Sequence, residues 1–452
     1  MKQKWLYLGR EELAVERQQL QDEGQDLTSV AAEFDALAAL DLDADLSYQP
    51  RVNALFDRAQ NLPLRSDYPY FEPSDRDAIR NARPAGPRTF PLHLDENEVY
   101  DRVLGAWLGR CAGCLLGKPI EGWHSPTLWG YLRDLDQYPL SDYLRSDVPA
   151  NILARYNLSR TRAYIDRVSH IPEDDDLNYT VTGLAVFKQH GSVFSPDDVA
   201  TFWLRNLPIL HTYTAERIAY RNFSQMIAPP QSASYHNPFR EWIGAQIRAD
   251  FWGYVALGNP QLAAEFAWRD ASISHTKNAI YGEMWVAAML AAAPFVQAPR
   301  ELIEIGLSEI PRASRLAADI QMVLSWHQAG IEYDHAVQRI HARWDETNPH
   351  HWTHTNSNAQ IVAVGLLWGE GDFGKSICRA VQACFDADCN GATVGSIWGM
   401  MHGAQALPEH WIRPLNDELE TGITGYALVR ISELARQTCT LAKTIPPASS
   451  PD

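Results

Sequence analysis

The chain has 452 residues, a formal net charge of −17 and 46% hydrophobic residues. That length suits one large domain with an appendage, and the acidic balance argues against a general nucleic-acid binder, since phosphate backbones need a basic face. No run of roughly 18 apolar residues occurs, so no membrane span is expected. The stretch from Met1 to Arg10 lacks the apolar core of a signal peptide, and the expected location is the cytoplasm. Six cysteines are too few for a disulfide scaffold.

In chain order, residues 1–95 read as an N-terminal extension. It holds a helical stretch over 26–40, then a loop rich in Pro, Tyr and Asp. That loop ends in Ala82-Arg83-Pro84-Ala85-Gly86-Pro87, whose breakers mark a linker. Residues 96–440 read as the main domain. Segments 261–267, 281–293 and 313–328 are rich in helix formers, with apolar residues at helical spacing. Alternating Val/Ile/Thr runs are scarce, so the expected class is all-α. Residues 441–452 end in a Pro/Ser-rich tail expected to be disordered. Fifteen tryptophans serve either as large core residues or as stacking walls of a ligand pocket.

Two glycine series carry more information. Gly105, Gly109, Gly113 and Gly117 recur every four residues, as do Gly391, Gly395, Gly399 and Gly403. Four residues advance a helix by about 400°, so each series draws a slowly drifting stripe along one face. Each glycine costs a helix roughly 1 kcal/mol relative to alanine. Close approach of another backbone justifies that cost. The two helices are expected to pack tightly, in a central layer, on each other.

Two acidic clusters open helices. Glu173-Asp174-Asp175-Asp176 follows Pro172 and precedes a helical segment. Asp386-Ala387-Asp388-Cys389-Asn390 leads into the second glycine series. Helix capping by acidic residues explains either cluster alone. However, Asp386 and Asp388 are two apart and cannot share a helix face. A loop entering a helix can aim both at one hard cation, which takes oxygen ligands.

These segments together resemble the ADP-ribosylglycohydrolase family. Residues 105–121 (GAWLGRCAGCLLGKPIE) resemble its opening helix, in which small residues lead to a Glu. EDDD at 173–176 resembles its Thr-Asp-Asp-Thr motif. DADCNGATVGSIWG at 386–399 resembles its Asp-x-Asp-Thr motif with a Gly/Ala-rich helix. Ser274-His275 resembles a Ser/Thr-His element between them. The resemblance covers about residues 98–412 and leaves the extension out.

The resemblance implies a compact, multi-helix orthogonal bundle carrying one or two Mg²⁺ ions, with Mn²⁺ or Ca²⁺ as substitutes. It implies Glu173, Asp174, Asp175, Asp386 and Asp388 as metal ligands, and Glu121 and Asp175 as the catalytic groups. His275, Asn278 and Asn390 are the expected substrate-binding residues. The implied reaction is hydrolysis of the N- or O-glycosidic bond of a small-molecule or protein-linked ADP-ribose-type substrate. The departures are Glu173 and Asp176 in place of two Thr, Cys389 in place of a Thr ligand, and Cys114 in place of Asp. A thiol is a poor partner for Mg²⁺. Two alternatives follow from those departures: a non-catalytic ADP-ribose-binding or structural protein on the same scaffold, and a glycosidase for another N-riboside. Cys111-Ala112-Gly113-Cys114 has zinc-motif spacing but lies inside a glycine stripe, where its thiols serve packing.

Overall fold

The computed structural model describes residues 2–156 and 163–445. The chain is all-α, as expected. The one sheet among the described residues is an antiparallel ribbon of Glu418–Glu420 with Leu428–Arg430, in which Leu419 faces Val429. No described helix is long and apolar enough to cross a membrane. The expected disordered tail lies largely outside the described residues; its first part, to Ala442, completes the helix Ile431–Ala442.

The centre of the molecule is the pair of glycine helices, Glu96–Gly117 and Ala387–His402. The first begins at a capping box, with Asp95 accepting from the Glu98 N–H and the Glu98 side chain accepting in return. A Cβ built on Gly105, Gly109 or Gly113 would run into the carbonyls of Gly399, Gly395 and Gly391 respectively, and the reverse also holds. The two backbones therefore touch with no side chain between them. Helices carrying ordinary side chains sit about 8–10 Å apart. Gly403 departs from the expected pattern. Its φ of 88° ends the second helix instead of continuing the stripe, and a Cβ there would strike Asp101.

Two further helices pack on the second of this pair. Thr355–Trp368 is buried along its whole length, and Lys277–Ala292 from Asn278 onward. Both are apolar on most faces, which marks interior helices. The predicted segments 261–267, 281–293 and 313–328 fall on Pro260–Ala271, Lys277–Ala292 and Arg315–Gln328.

The extension has more helix than its sequence suggested. Besides Ala31–Ala38, it contains Arg10–Asp22, Gln49–Ala59 and Arg76–Ala82. Val52, Leu55, Phe56 and Ala59 are buried at i, i+3, i+4 and i+7, and pack with Phe34, Leu37 and Leu42 in a small cluster of their own. Val15 joins a second cluster with Ile218, Phe239 and Trp242 of the main body.

Buried ion pairs add to this seat. Arg240 bonds Glu16 at 2.6 Å and Glu23 at 2.8 Å, while Arg315 bonds Glu72 at 2.8 Å and Glu241 at 2.7 Å. The expected linker after Ala82 is strapped to the body as well, since Arg83 and Arg88 both pair with the buried Glu309.

Candidate active site

The glycine contact builds one wall of the site. Gly117 ends the first glycine helix, and a Cβ there would strike the backbone of Ala387 and Asp388. The C-terminus of one helix thus lies against the N-terminus of the other. A short turn, Lys118–Ile120, then delivers Glu121. Lys118 and Glu121 reach the same cavity as Asp388 for this reason.

The helix Asp175–His190 supplies a second wall. Asp174 is its N-cap and accepts from the Asp176 N–H at 2.9 Å. Asp176 turns inward to the fully buried Arg110, whose Nη2 lies 3.1 Å from Asp176 Oδ1 and 2.9 Å from its carbonyl. Arg110 also bonds Thr180 Oγ1 at 2.7 Å and pairs with Asp250 at 2.8 Å. This clamp fixes the first turn of the helix, and Asp174 and Asp175 are left facing the cavity. Glu173 also lines the cavity, where it accepts from Asn178 Nδ2 at 3.0 Å and pairs with His211.

Asp386 stands at the N-terminus of the second glycine helix but makes no capping hydrogen bond. The two residues before it, Cys384 and Phe385, have left-handed φ angles of 65° and 57°. That conformation is costly for side chains of this size and is held here by burial. It turns the chain so that Asp386 and Asp388 both reach the cavity. Asn358 Oδ1 secures the turn, accepting from the Asp386 N–H at 3.1 Å and from Asn390 Nδ2 at 2.8 Å.

The resulting cavity has a volume of about 540 Å³, within the usual range for small-molecule sites. Five carboxylates of its acidic end, Glu121, Asp174, Asp175, Asp386 and Asp388, face each other with one close cation, Lys118, which pairs with Asp174. Their proton affinities follow. The Asp388 charge, then burial and Asp174, pushes Glu121 well above the usual carboxylate range. Burial, then Asp174 and Asp388, does the same to Asp175. Burial, then Asp388 and Glu121, raises Asp386. Asp174 alone is lowered: burial opposes its charge most, but Lys118 and the Asp176 N–H together more than offset that.

The donors fit a hard cation. Asp386, Asp388 and Cys389 form one group of ion-sized spacing, and Cys114, Asp174, Asp176 and Asp388 form another. Asp388 Oδ1 is buried without a partner in the protein. A buried carboxylate oxygen in that state is expensive unless it meets a cation or a proton. Burial raises both Cys114 and Cys389 well above the ordinary thiol range, so they are neutral thiols and weak donors. Glu173 and Asp175 line the cavity outside these two groups.

Three residues expected to bind substrate lie elsewhere. Asn278 is fully buried and its amide is committed within the protein, donating to Glu72 of the extension and to Glu241 and accepting from the Leu316 N–H. His275 lies behind the cavity wall, with Nδ1 2.8 Å from Ser274 Oγ and Nε2 4.0 Å from Glu216. Burial keeps it neutral. Asn390 holds Asn358, and through it the Asp386 loop, without reaching the cavity. The sequence reading also missed wall residues. Lys118 follows the first glycine stripe directly and was legible there. His211, Tyr213 and Glu216 sit in no motif, and Trp5, Trp242 and Trp352 were indistinguishable from core tryptophans.

No curated protein sequence matches this chain. A solved structure described as an ADP-ribosylglycohydrolase-related protein complex is 19% identical, covers 77% of this chain and 99% of its own, and superposes with a TM-score of 0.44. The family model described as ADP-ribosylglycohydrolase matches residues 95–444, a span that holds both glycine helices and both acidic clusters. On that match, the chain belongs to the ADP-ribosylglycohydrolase family.

Proposed function

We propose that this protein is a cation-assisted hydrolase of the N- or O-glycosidic bond of ADP-ribosylated, or related ribosylated, substrates, working in the cytoplasm. The observation that carries this reading is the convergence of Glu121, Asp174, Asp175, Asp386 and Asp388 on one end of a 540 Å³ cavity. Carboxylates repel one another, and such a set is stable only with bound protons or a cation.

We assign one divalent cation, Mg²⁺ by preference, to the Asp386 and Asp388 carboxylates. All-oxygen donors suit it, whereas the neutral Cys114 and Cys389 thiols do not. Lys118 already neutralises Asp174, which favours one ion over two. When bound, such an ion orients ribose hydroxyls and polarises a coordinated oxygen.

The remaining steps belong to the protein. Cleavage at an anomeric carbon needs a group to protonate the leaving atom and another to take a proton from water. Glu121 opens to the cavity just after the first glycine helix, beside the carboxylates assigned to the cation, and takes the acid role. Asp175, in the first turn of the helix that forms the second wall, is the partner carboxyl. Lys118 holds Asp174 ionised, so that side of the pocket keeps a fixed charge pair throughout.

The test is release of ADP-ribose from ADP-ribosylated protein with Mg²⁺ and after EDTA, alongside calorimetric binding of ADP-ribose. Metal-dependent release, lost in Glu121→Gln with binding retained, supports the assignment. Binding without release in any condition would favour the non-catalytic reading of the scaffold. No binding of ADP-ribose at all would sink the substrate class.

A further inference from the structure

The family match begins at residue 95, yet Trp5 and Glu11 line the same cavity as Asp174 and Asp388. The cavity is therefore closed in part by a segment that lies outside the matched domain. Trp5 is held firmly there. Its ring meets Tyr213 edge-on at 6.2 Å and Phe239 at 6.3 Å, and the Arg217 guanidinium lies 5.0 Å from its centroid. Its backbone is left-handed, with φ 65°, a conformation that a bulky residue adopts only when its surroundings enforce it.

Three aromatic residues, Trp5, Tyr213 and Trp352, face this cavity together. Tyr213 is 47% exposed, so the group is open to a ligand. A flat heteroaromatic ring suits such a wall, since its face stacks on the aromatic side chains without needing charge.

We propose that the N-terminal segment completes the substrate pocket, with Trp5, Tyr213 and Trp352 forming a subsite for a planar heteroaromatic ring of the substrate. The inference rests on the proposed function for what else the ligand carries. The ring is either the nucleobase of an ADP-ribose-type substrate or a heteroaromatic leaving group on its anomeric carbon. Aromatic stacking also explains why a wall beside so many carboxylates is apolar, because ring stacking needs no charge.

The experiment compares the full-length wild type with Trp5→Ala and Trp5→Phe by calorimetry. The probes are ADP-ribose, adenosine monophosphate, nicotinamide mononucleotide and ribose 5-phosphate. Loss of one stacked ring weakens binding by about 5- to 150-fold. We expect Trp5→Ala to lose that much affinity for the ring-bearing probes, Trp5→Phe to restore most of it, and ribose 5-phosphate to bind all three proteins alike. A loss for adenosine monophosphate assigns the ring to the nucleobase; a loss confined to nicotinamide mononucleotide assigns it to the leaving group. Tyr213→Ala, on the open side of the same wall, replaces Trp5→Ala should that variant fail to fold.

Equal affinities in wild type and Trp5→Ala for every ring-bearing probe would overturn the subsite while leaving the proposed function intact. Trp5-dependent binding of a mononucleotide, with no binding of ADP-ribose, would do the reverse. A wild type that binds none of the probes overturns both.

Discussion

Arg110 Nη2 lies 3.1 Å from Asp176 Oδ1, and neither side chain has any solvent exposure. The pair joins the first glycine helix to the first turn of the helix that carries Asp174 and Asp175. Arg110 also holds Asp250 and the Ile247 carbonyl, so one guanidinium ties three segments together.

Removing that guanidinium leaves two carboxylates buried without their partner. Breaking a buried pair from one side costs about 3–5 kcal/mol. Arg110→Met should lower the unfolding free energy by about that amount in urea titrations. ADP-ribose affinity should fall as well, since Asp174 and Asp175 lose their anchor. A change below about 1 kcal/mol would mean that the helix is fixed by other contacts.

The glycine contact predicts a reversed helix propensity. Ala ordinarily stabilises a helix by about 1 kcal/mol over Gly. Gly109→Ala and Gly395→Ala should each destabilise instead, by about 1–3 kcal/mol or more, because the added methyl meets a carbonyl. Gly117→Ala should in addition weaken metal binding, since its neighbour is the Asp388 backbone. Differential scanning fluorimetry and metal titration separate the two effects.

Charge removal at Asp388 gives the clearest link between stability and the metal. Asp388→Asn relieves the repulsion on Glu121 and Asp386, so the metal-free variant should melt higher than metal-free wild type near pH 7. Mg²⁺ should then raise the melting temperature of the wild type only. Ligand linkage gives about 2.7 kcal/mol at a hundredfold excess over the dissociation constant. An equal Mg²⁺ response in both proteins would move the cation away from Asp388.

Glu12 in the extension offers a pH test outside the carboxylate cluster. Burial pushes its carboxyl up to about 7, against an ordinary value of 4.5, although it accepts from the Gly9 N–H. The folded state therefore binds this proton more tightly than the unfolded state. Glu12 costs nothing below pH 4.5, progressively more as the pH rises from 4.5 towards 7, and its full penalty above that. Glu12→Gln keeps the acceptor oxygen and removes the ionisation. Its stability relative to wild type should rise across that window, by an amount on the order of 1–3 kcal/mol. Denaturant melts at pH 5 and pH 8 check the sign.

Much of the fold was legible because its signals were local and periodic. Glycines at every fourth position announced two helices in backbone contact, and both helices formed and met. Helix-forming segments without alternating apolar residues announced an all-α chain. Acidic residues ahead of a helix announced carboxylates at helix N-termini, and Asp174, Asp175, Asp386 and Asp388 all reach one cavity. Each of these inferences needs only the geometry of a single helix or of one close contact.

Other features depended on partners far away in the sequence. Asp174, Asp175 and Asp176 are adjacent and chemically alike, yet Asp176 faces inward because Arg110 lies there, 66 residues away. Asn278 suited a binding role until Glu72, from the extension, and Glu241 claimed its amide. Trp5 had no periodic pattern to mark it, and its place on the cavity wall comes from the packing of the extension against Phe239 and Tyr213. The sequence determined which helices form and which faces can touch, because backbone geometry and side-chain size act over a few residues. The tertiary structure alone decided which buried charges find partners and which face the cavity, because a buried charge is stable only beside groups that the fold brings to it.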